Sequence, residues 1–250
     1  MKTQGKINLQ PLPELKVLFR ETAEFFREHF SLLIYLSLIL TGIVLILSFI
    51  LGIFGFSFAF LVSLAKQKVL FLVMIIIFVI LGISLLIAAL IFQILAQGSI
   101  ILAIIQKDYR RETDVKKIWH EIFSQAKSII WVNILTSLVI LGGYLLLFIP
   151  GLIFGLWFNF GIFVLLQEKQ VGRAALKRSR ALVKGYFWPL AFRVFILTLI
   201  IGGSSVFCSL IPFFGSVLGM AISLFALPFM YIYLYLIYKN LLELKKVNQN

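Results

Sequence analysis

The sequence predicts an all-α, polytopic integral membrane protein with six transmembrane helices and cytoplasmic amphipathic helices. Three observations predict it. Hydrophobic residues make up 62% of the 250 and charged residues 13%, about half the charged share of a soluble domain. Charge-free runs of 35, 38 and 40 residues cover 31–65, 69–106 and 128–167, which leaves no polar face for water and excludes a soluble enzyme. Helix breakers, Pro150-Gly151 and Pro212 with Gly215, interrupt the third gap and a fourth over 185–238, where a chain crossing twice must reverse.

A crossing helix needs about 20 apolar residues. The first two gaps therefore hold one span each and the last two a hairpin each, giving helices over 31–56, 69–93, 128–148, 151–167, 187–208 and 217–238. The whole of 1–250 reads as one membrane domain: a cytoplasmic amphipathic segment over 1–30, the six spans within 31–238, and a cytoplasmic tail over 239–250. The polar N-terminal segment, about thirty residues long, is unlike a cleavable signal peptide.

An amphipathic segment precedes each pair of spans. Over 14–30, Leu15, Leu18, Phe19, Phe25, Phe26 and Phe30 recur at helical spacing among charged residues, the pattern of an interfacial helix. Thr113 or Asp114 is placed to cap a second, with Val115, Ile118, Trp119, Ile122, Phe123 and Ala126 on its apolar face. The third runs over 171–184. Its Arg173, Lys177, Arg180 and Lys184 are spaced four, three and four apart, which stacks them on one side of a helix.

Orientation follows from Lys and Arg, which short cytoplasmic loops retain. Twenty of the 23 fall in the N-terminal segment, the 107–127 and 169–184 loops and the tail, whereas the other side has Lys66 and Lys68. Both termini are thereby expected in the cytoplasm of a multi-pass protein of a prokaryotic cytoplasmic membrane.

The two later hairpins look duplicated. Gly142-Gly143, Ile149-Pro150, then Gly151 and Gly155 are echoed by Gly202-Gly203, Ile211-Pro212, then Gly215 and Gly219. Glycines four apart let helix backbones approach closely, so these two pairs are expected at helix contacts.

No Asp, Glu or His lies within a predicted span, so the marker of a buried proton relay is missing. His120-Glu121 lacks the second histidine of a metal-binding helix. No catalytic residue, metal ligand or cofactor is assigned. Arg193, the one charge inside a span, has two readings, snorkelling toward the cytoplasm or a structural partnership on the one hand and a substrate or anion site on the other, with Glu168, Gln167 and Asn159 as candidate partners. Asn133, Asn159, Gln93 and Gln97 are expected to hydrogen-bond between helices, with a pore lining as the other reading. The basic stripe of 173–184 either enforces topology or contacts anionic headgroups. Nucleic acid is not an expected partner, because the basic charge sits in membrane-adjacent loops.

Leu147-Phe148-Ile149-Pro150-Gly151, the aromatic fourth span, Glu168 and the run from Ala174 to Trp188 resemble the glycerophosphoryl diester phosphodiesterase membrane-domain family. Gln97-Gly98 extends the match, which covers about 90–240. The resemblance implies a six-helix integral membrane module without the catalytic barrel, and no catalytic residue is carried over from it. The combined expectation is a non-enzymatic scaffold or anchor that contacts anionic lipids or partner membrane proteins. The alternative is a transporter or lipid-handling protein with a polar site near Arg193, Asn159 and Asn133.

Overall fold

The computed structural model describes residues 12–64, 68–111, 114–211 and 215–247. Ten α-helices carry nearly all of them, and no strand occurs among the described residues. In order these are α1 (Leu15–Glu28), α2 (Phe30–Leu64), α3 (Lys68–Asp108), α4 (Val115–Ser124) and α5 (Ala126–Leu146), then α6 (Phe148–Phe158), α7 (Gly161–Glu168), α8 (Arg173–Val183), α9 (Phe187–Ser209) and α10 (Gly215–Val247). Six stretches are long and apolar enough to cross a membrane: Phe30–Phe58, Leu72–Asp108, Ala126–Leu146, Phe148–Glu168, Phe187–Cys208 and Leu224–Lys246. The protein is an integral membrane protein of six spans.

α10 is the hub, packed against α1, α2, α3, α8 and α9. Its Tyr233, Tyr235 and Tyr238 are the largest fully buried side chains, together with Phe160 and Phe163. The rings stack at the centre: Phe163 lies 5.7 Å from Tyr238 and Phe160 lies 6.1 Å from it. The core occupies the half of the bundle next to the end where Asp108, Glu168 and Lys239 meet, called here the charged end. Farther out, Phe49, Phe56, Ile80 and Phe207 are exposed, as apolar side chains are when their solvent is hydrocarbon.

Several boundaries differ from the sequence expectation, each for a physical reason. The second span does not stop at 93: α3 continues to Asp108, because Ala96 and Ile100–Ile105 are buried and packing extends the helix past the length of one crossing. At 41 residues it is about 61 Å long, twice the hydrocarbon thickness of about 30 Å, so it is tilted or extends beyond that layer. The hairpin of the third gap turns at Leu147, which is extended at φ −166°, and Pro150 sits in the first turn of α6, where its missing N–H costs no helical bond. The reversal assigned to Pro212 lies outside the described residues, as do Thr113 and Lys66. Asp114 caps α4, its side chain accepting from Lys116 N–H.

The close glycine contact is displaced by one turn from its expected place. A Cβ on Gly143 would stand 2.9 Å from Gly151 Cα, and one on Gly151 would run into the Tyr144 ring. Gly155 makes no such contact: a Cβ there meets nothing within 4 Å. The expectation of packing at Gly155 is corrected, because Gly155 lies on the wall of a cavity instead of against a neighbouring helix. In the last hairpin Gly215 is buried, while a Cβ on Gly219, Gly202 or Gly203 meets nothing within 4 Å. The two hairpins share a glycine pattern without sharing its packing.

α1 buries Leu18 and Thr22 and sets Phe19 against Phe229 at 6.3 Å and Tyr233 at 5.1 Å. Its apolar face is covered by α10 instead of lying open to lipid.

Candidate functional site

The fourth span is broken. α6 ends at Phe158, Asn159 and Phe160 form a turn, and α7 starts at Gly161. In a continuous helix the Trp157 carbonyl would accept the Gly161 N–H. Here it accepts the buried Ser179 hydroxyl of α8 at 2.6 Å, and regular bonding resumes with Val164 N–H to the Phe160 carbonyl at 3.0 Å. Non-helical backbone at membrane depth is tolerated where protein or a polar cavity surrounds it.

Such a cavity adjoins the break. Its volume is about 210 Å³, and its polar lining is Gln97 of α3, Asn133 and Thr136 of α5, Asn159 of the turn and Tyr231 of α10, with Gly155 on its wall. Asn133 and Asn159 are thus brought together as the polar-site reading expects. Among the described residues the expected bonds between helices do not occur, and the Asn133 amide donates to the Ile129 carbonyl of its own helix at 2.9 Å.

Arg193 is not part of this cavity, and its membership of an intramembrane polar site is corrected. Its guanidinium reaches Nε to Pro13 O at 3.3 Å, Nη2 to Pro13 O at 2.7 Å, Nη2 to Leu12 O at 3.1 Å and Nη1 to Pro189 O at 2.9 Å. The partners are backbone carbonyls, Leu12 and Pro13 of the segment before α1 and Pro189 of its own helix, not Glu168, Gln167 or Asn159. Five fixed donors make a guanidinium suited to gathering several carbonyls, and each bond it forms offsets part of the cost of holding a charge near lipid.

On α8 the basic stripe is separated from the inward face by the helical period. Ala175, Leu176, Ser179, Leu182 and Val183 are buried, while Arg173, Lys177, Arg180 and Lys184 are exposed. Gly172 permits the tight entry: its φ is +60°, and a Cβ there would stand 3.2 Å from the Trp131 indole nitrogen. Arg178, between the stripe residues in sequence, turns inward and pairs with Glu168 at 2.8 Å. Glu168 also accepts the Tyr238 hydroxyl at 2.8 Å.

The outward residues do not pair with acids. Among the described residues, none of the ion pairs involves Arg173, Lys177, Arg180 or Lys184. Lys177, Arg180 and Lys184 converge with Trp157 and Ala181 around a hollow of about 320 Å³, and the Arg180 guanidinium lies over the Trp157 ring at 4.3 Å. Arg173 is exposed on the same helix but does not line the hollow. Beside it, an apolar groove between α6 and α9 is walled by Leu152, Leu156, Trp188, Phe192, Phe195 and Thr198. Trp188 is 79% exposed.

Two polar clusters at the charged end escaped sequence reasoning. Asp108 accepts from Lys239 Nζ at 3.0 Å and from the Tyr235 hydroxyl at 2.9 Å. Glu121 accepts from Gln106 at 2.8 Å and pairs with Lys169 at 3.5 Å. Their sequence separations are too long for local periodicity to reveal. They tie α3, α4 and α10 and the end of α7 together.

No family model, curated protein or solved structure matches the chain.

Proposed function

We propose that the chain is a non-enzymatic, lipid-contacting module of a prokaryotic cytoplasmic membrane, holding anionic phospholipid at the basic face of α8. The observation that carries this reading is the hollow bounded by Lys177, Arg180, Lys184 and Trp157, whose cations have no acidic partner among the described residues. Arg and Lys at a membrane edge gain about 1 kcal/mol each near an anionic leaflet, and the cation–π contact holds Arg180 in place. The α6–α9 groove starts at Leu156, the residue next to Trp157, and offers an acyl chain an apolar wall. Orientation rests on the 20 basic residues that the predicted topology puts on one side, which sets α8 against the cytoplasmic leaflet. The family resemblance of 90–240 fits a module that anchors or scaffolds through lipids and neighbouring membrane proteins.

The test compares phosphatidylglycerol and cardiolipin retained by the purified parent with those retained by Lys177→Gln/Arg180→Gln/Lys184→Gln. Retention falls in the variant, and the parent's retention weakens with salt, because a shorter Debye length screens exposed charges. The single change Arg173→Gln, outside the hollow, has the smaller effect. Equal retention in the parent and the triple variant reduces the stripe to a topology signal.

A further inference from the structure

We infer that the cavity at the α6–α7 break is a binding site for a small uncharged solute carrying both hydrogen-bond donors and acceptors. It shares no lining residue with the basic hollow, so it stands independently of the lipid reading.

Depth comes first. Asn159 lies nine residues before Glu168, Gln97 eleven before Asp108 and Tyr231 eight before Lys239. At 1.5 Å per residue these are about 12–17 Å in from the charged end, within the stretches Leu72–Asp108, Phe148–Glu168 and Leu224–Lys246 that are apolar enough to cross a membrane. A broken span beside a polar cavity at that depth is the arrangement by which membrane proteins present polar groups to a solute.

The polar groups there are unsatisfied by the protein. Tyr231 is only 8% exposed, yet its hydroxyl has no hydrogen-bond partner among the described residues. The same holds for the side chains of Gln97, Thr136 and Asn159, while Asn133 uses one of its two amide hydrogens. These groups open onto the cavity instead of being sealed in the interior, so a bound molecule can pair them in place of water. Three carboxamides and two hydroxyls supply donors and acceptors together.

Charge selects next. Among the described residues no Asp, Glu, Lys, Arg or His lines the cavity, so an ion would enter without a counter-charge, at a desolvation cost of several kcal/mol. A neutral amide or alcohol avoids that cost. A volume of about 210 Å³ is about seven times the roughly 30 Å³ share of one liquid water, which admits a molecule of the size of isobutyramide.

Gly155 gives the test its handle, because a side chain added there projects into open space instead of a neighbour. The experiment is saturation-transfer NMR with isobutyramide and its charged isostere isobutyrate, using the full chain in lipid nanodiscs and empty nanodiscs as blank. Isobutyramide is expected to receive saturation above the blank and isobutyrate not. Gly155→Leu, which fills the cavity, and the near-isosteric pair Thr136→Val/Asn159→Leu, which removes polar groups, should each weaken binding about tenfold. Each variant's melting temperature is measured alongside; if Gly155→Leu does not fold, the isosteric pair decides. Transfer no greater than the blank overturns the inference, as does transfer unchanged in the folded variants. Equal transfer to isobutyrate overturns the uncharged class.

Discussion

Arg193 Nη2 donates to the Pro13 carbonyl at 2.7 Å, across 180 residues of sequence, and so clasps the segment before α1 to α9. The Tyr233 hydroxyl donates to the Arg193 carbonyl at 3.2 Å, and Phe19 of α1 packs on the Tyr233 ring. The intramembrane cation is therefore a fastener. Arg193→Met should leave the spans inserted but loosen α1, speeding trypsin cleavage at Lys16 and Arg20 by about tenfold, the factor expected for losing one to two kcal/mol of charged hydrogen bonding. Unchanged cleavage would mean that the aromatic contacts alone hold α1.

Arg178 and Glu168 are 34% and 19% exposed as side chains. Arg178→Met leaves the Glu168 carboxylate with Tyr238 alone, and should destabilise the fold by about 2 kcal/mol, within the range for a charged hydrogen bond. Glu168→Gln in the Arg178→Met background removes the stranded charge. The double variant should be at least as stable as Arg178→Met, with a coupling energy above about 1 kcal/mol in a double-mutant cycle. Additive losses would show that the pair does not act together.

The glycines give opposite outcomes on one helix. Gly151→Ala forces the Tyr144 ring to move and should cost about 1–3 kcal/mol by overpacking, whereas Gly155→Ala should stay within about 0.5 kcal/mol of the parent because its Cβ enters open space. Melting curves of the two variants in the same detergent decide it. Equal losses would contradict the geometry of the turn.

His29 has its pKa lowered, first by burial and then by Lys107, with Glu28 opposing. The folded state resists the proton, so below about pH 6.5 the unfolded chain binds it first. This contribution to stability is complete above the unfolded pKa and declines as pH falls through about 6.5 toward the lower folded value. His29→Asn should flatten the decline in melting temperature between pH 7.5 and 5. An unaltered slope would assign the decline to other groups.

The six spans were legible because lipid imposes one rule over about twenty residues at a time, and charge gaps record it directly. The α8 stripe was legible for a similar reason, since helical period alone separates Arg173, Lys177, Arg180 and Lys184 from Ser179. Partnership was not. Arg193 and Pro13, Asp108 and Lys239, and Gln97 and Tyr231 are joined by the packing of helices far apart in sequence, and no local pattern encodes which carbonyl or hydroxyl a side chain meets. The break at Asn159 was hidden as well, because the donor that takes the Trp157 carbonyl is Ser179, 22 residues on. Gly155 shows the opposite hazard: a recognised spacing, four from Gly151, marks a cavity wall and not a contact.

The proposed topology puts the charged end of the six-span module, with the basic face of α8, in the cytoplasm. Single cysteines at Lys66, between α2 and α3, and at Gln125, between α4 and α5, in a Cys208→Ser background test it most directly with a membrane-impermeant maleimide on intact cells. Position 66 is expected to label from outside and position 125 only after the cells are opened. Labelling of both from the same side would contradict it.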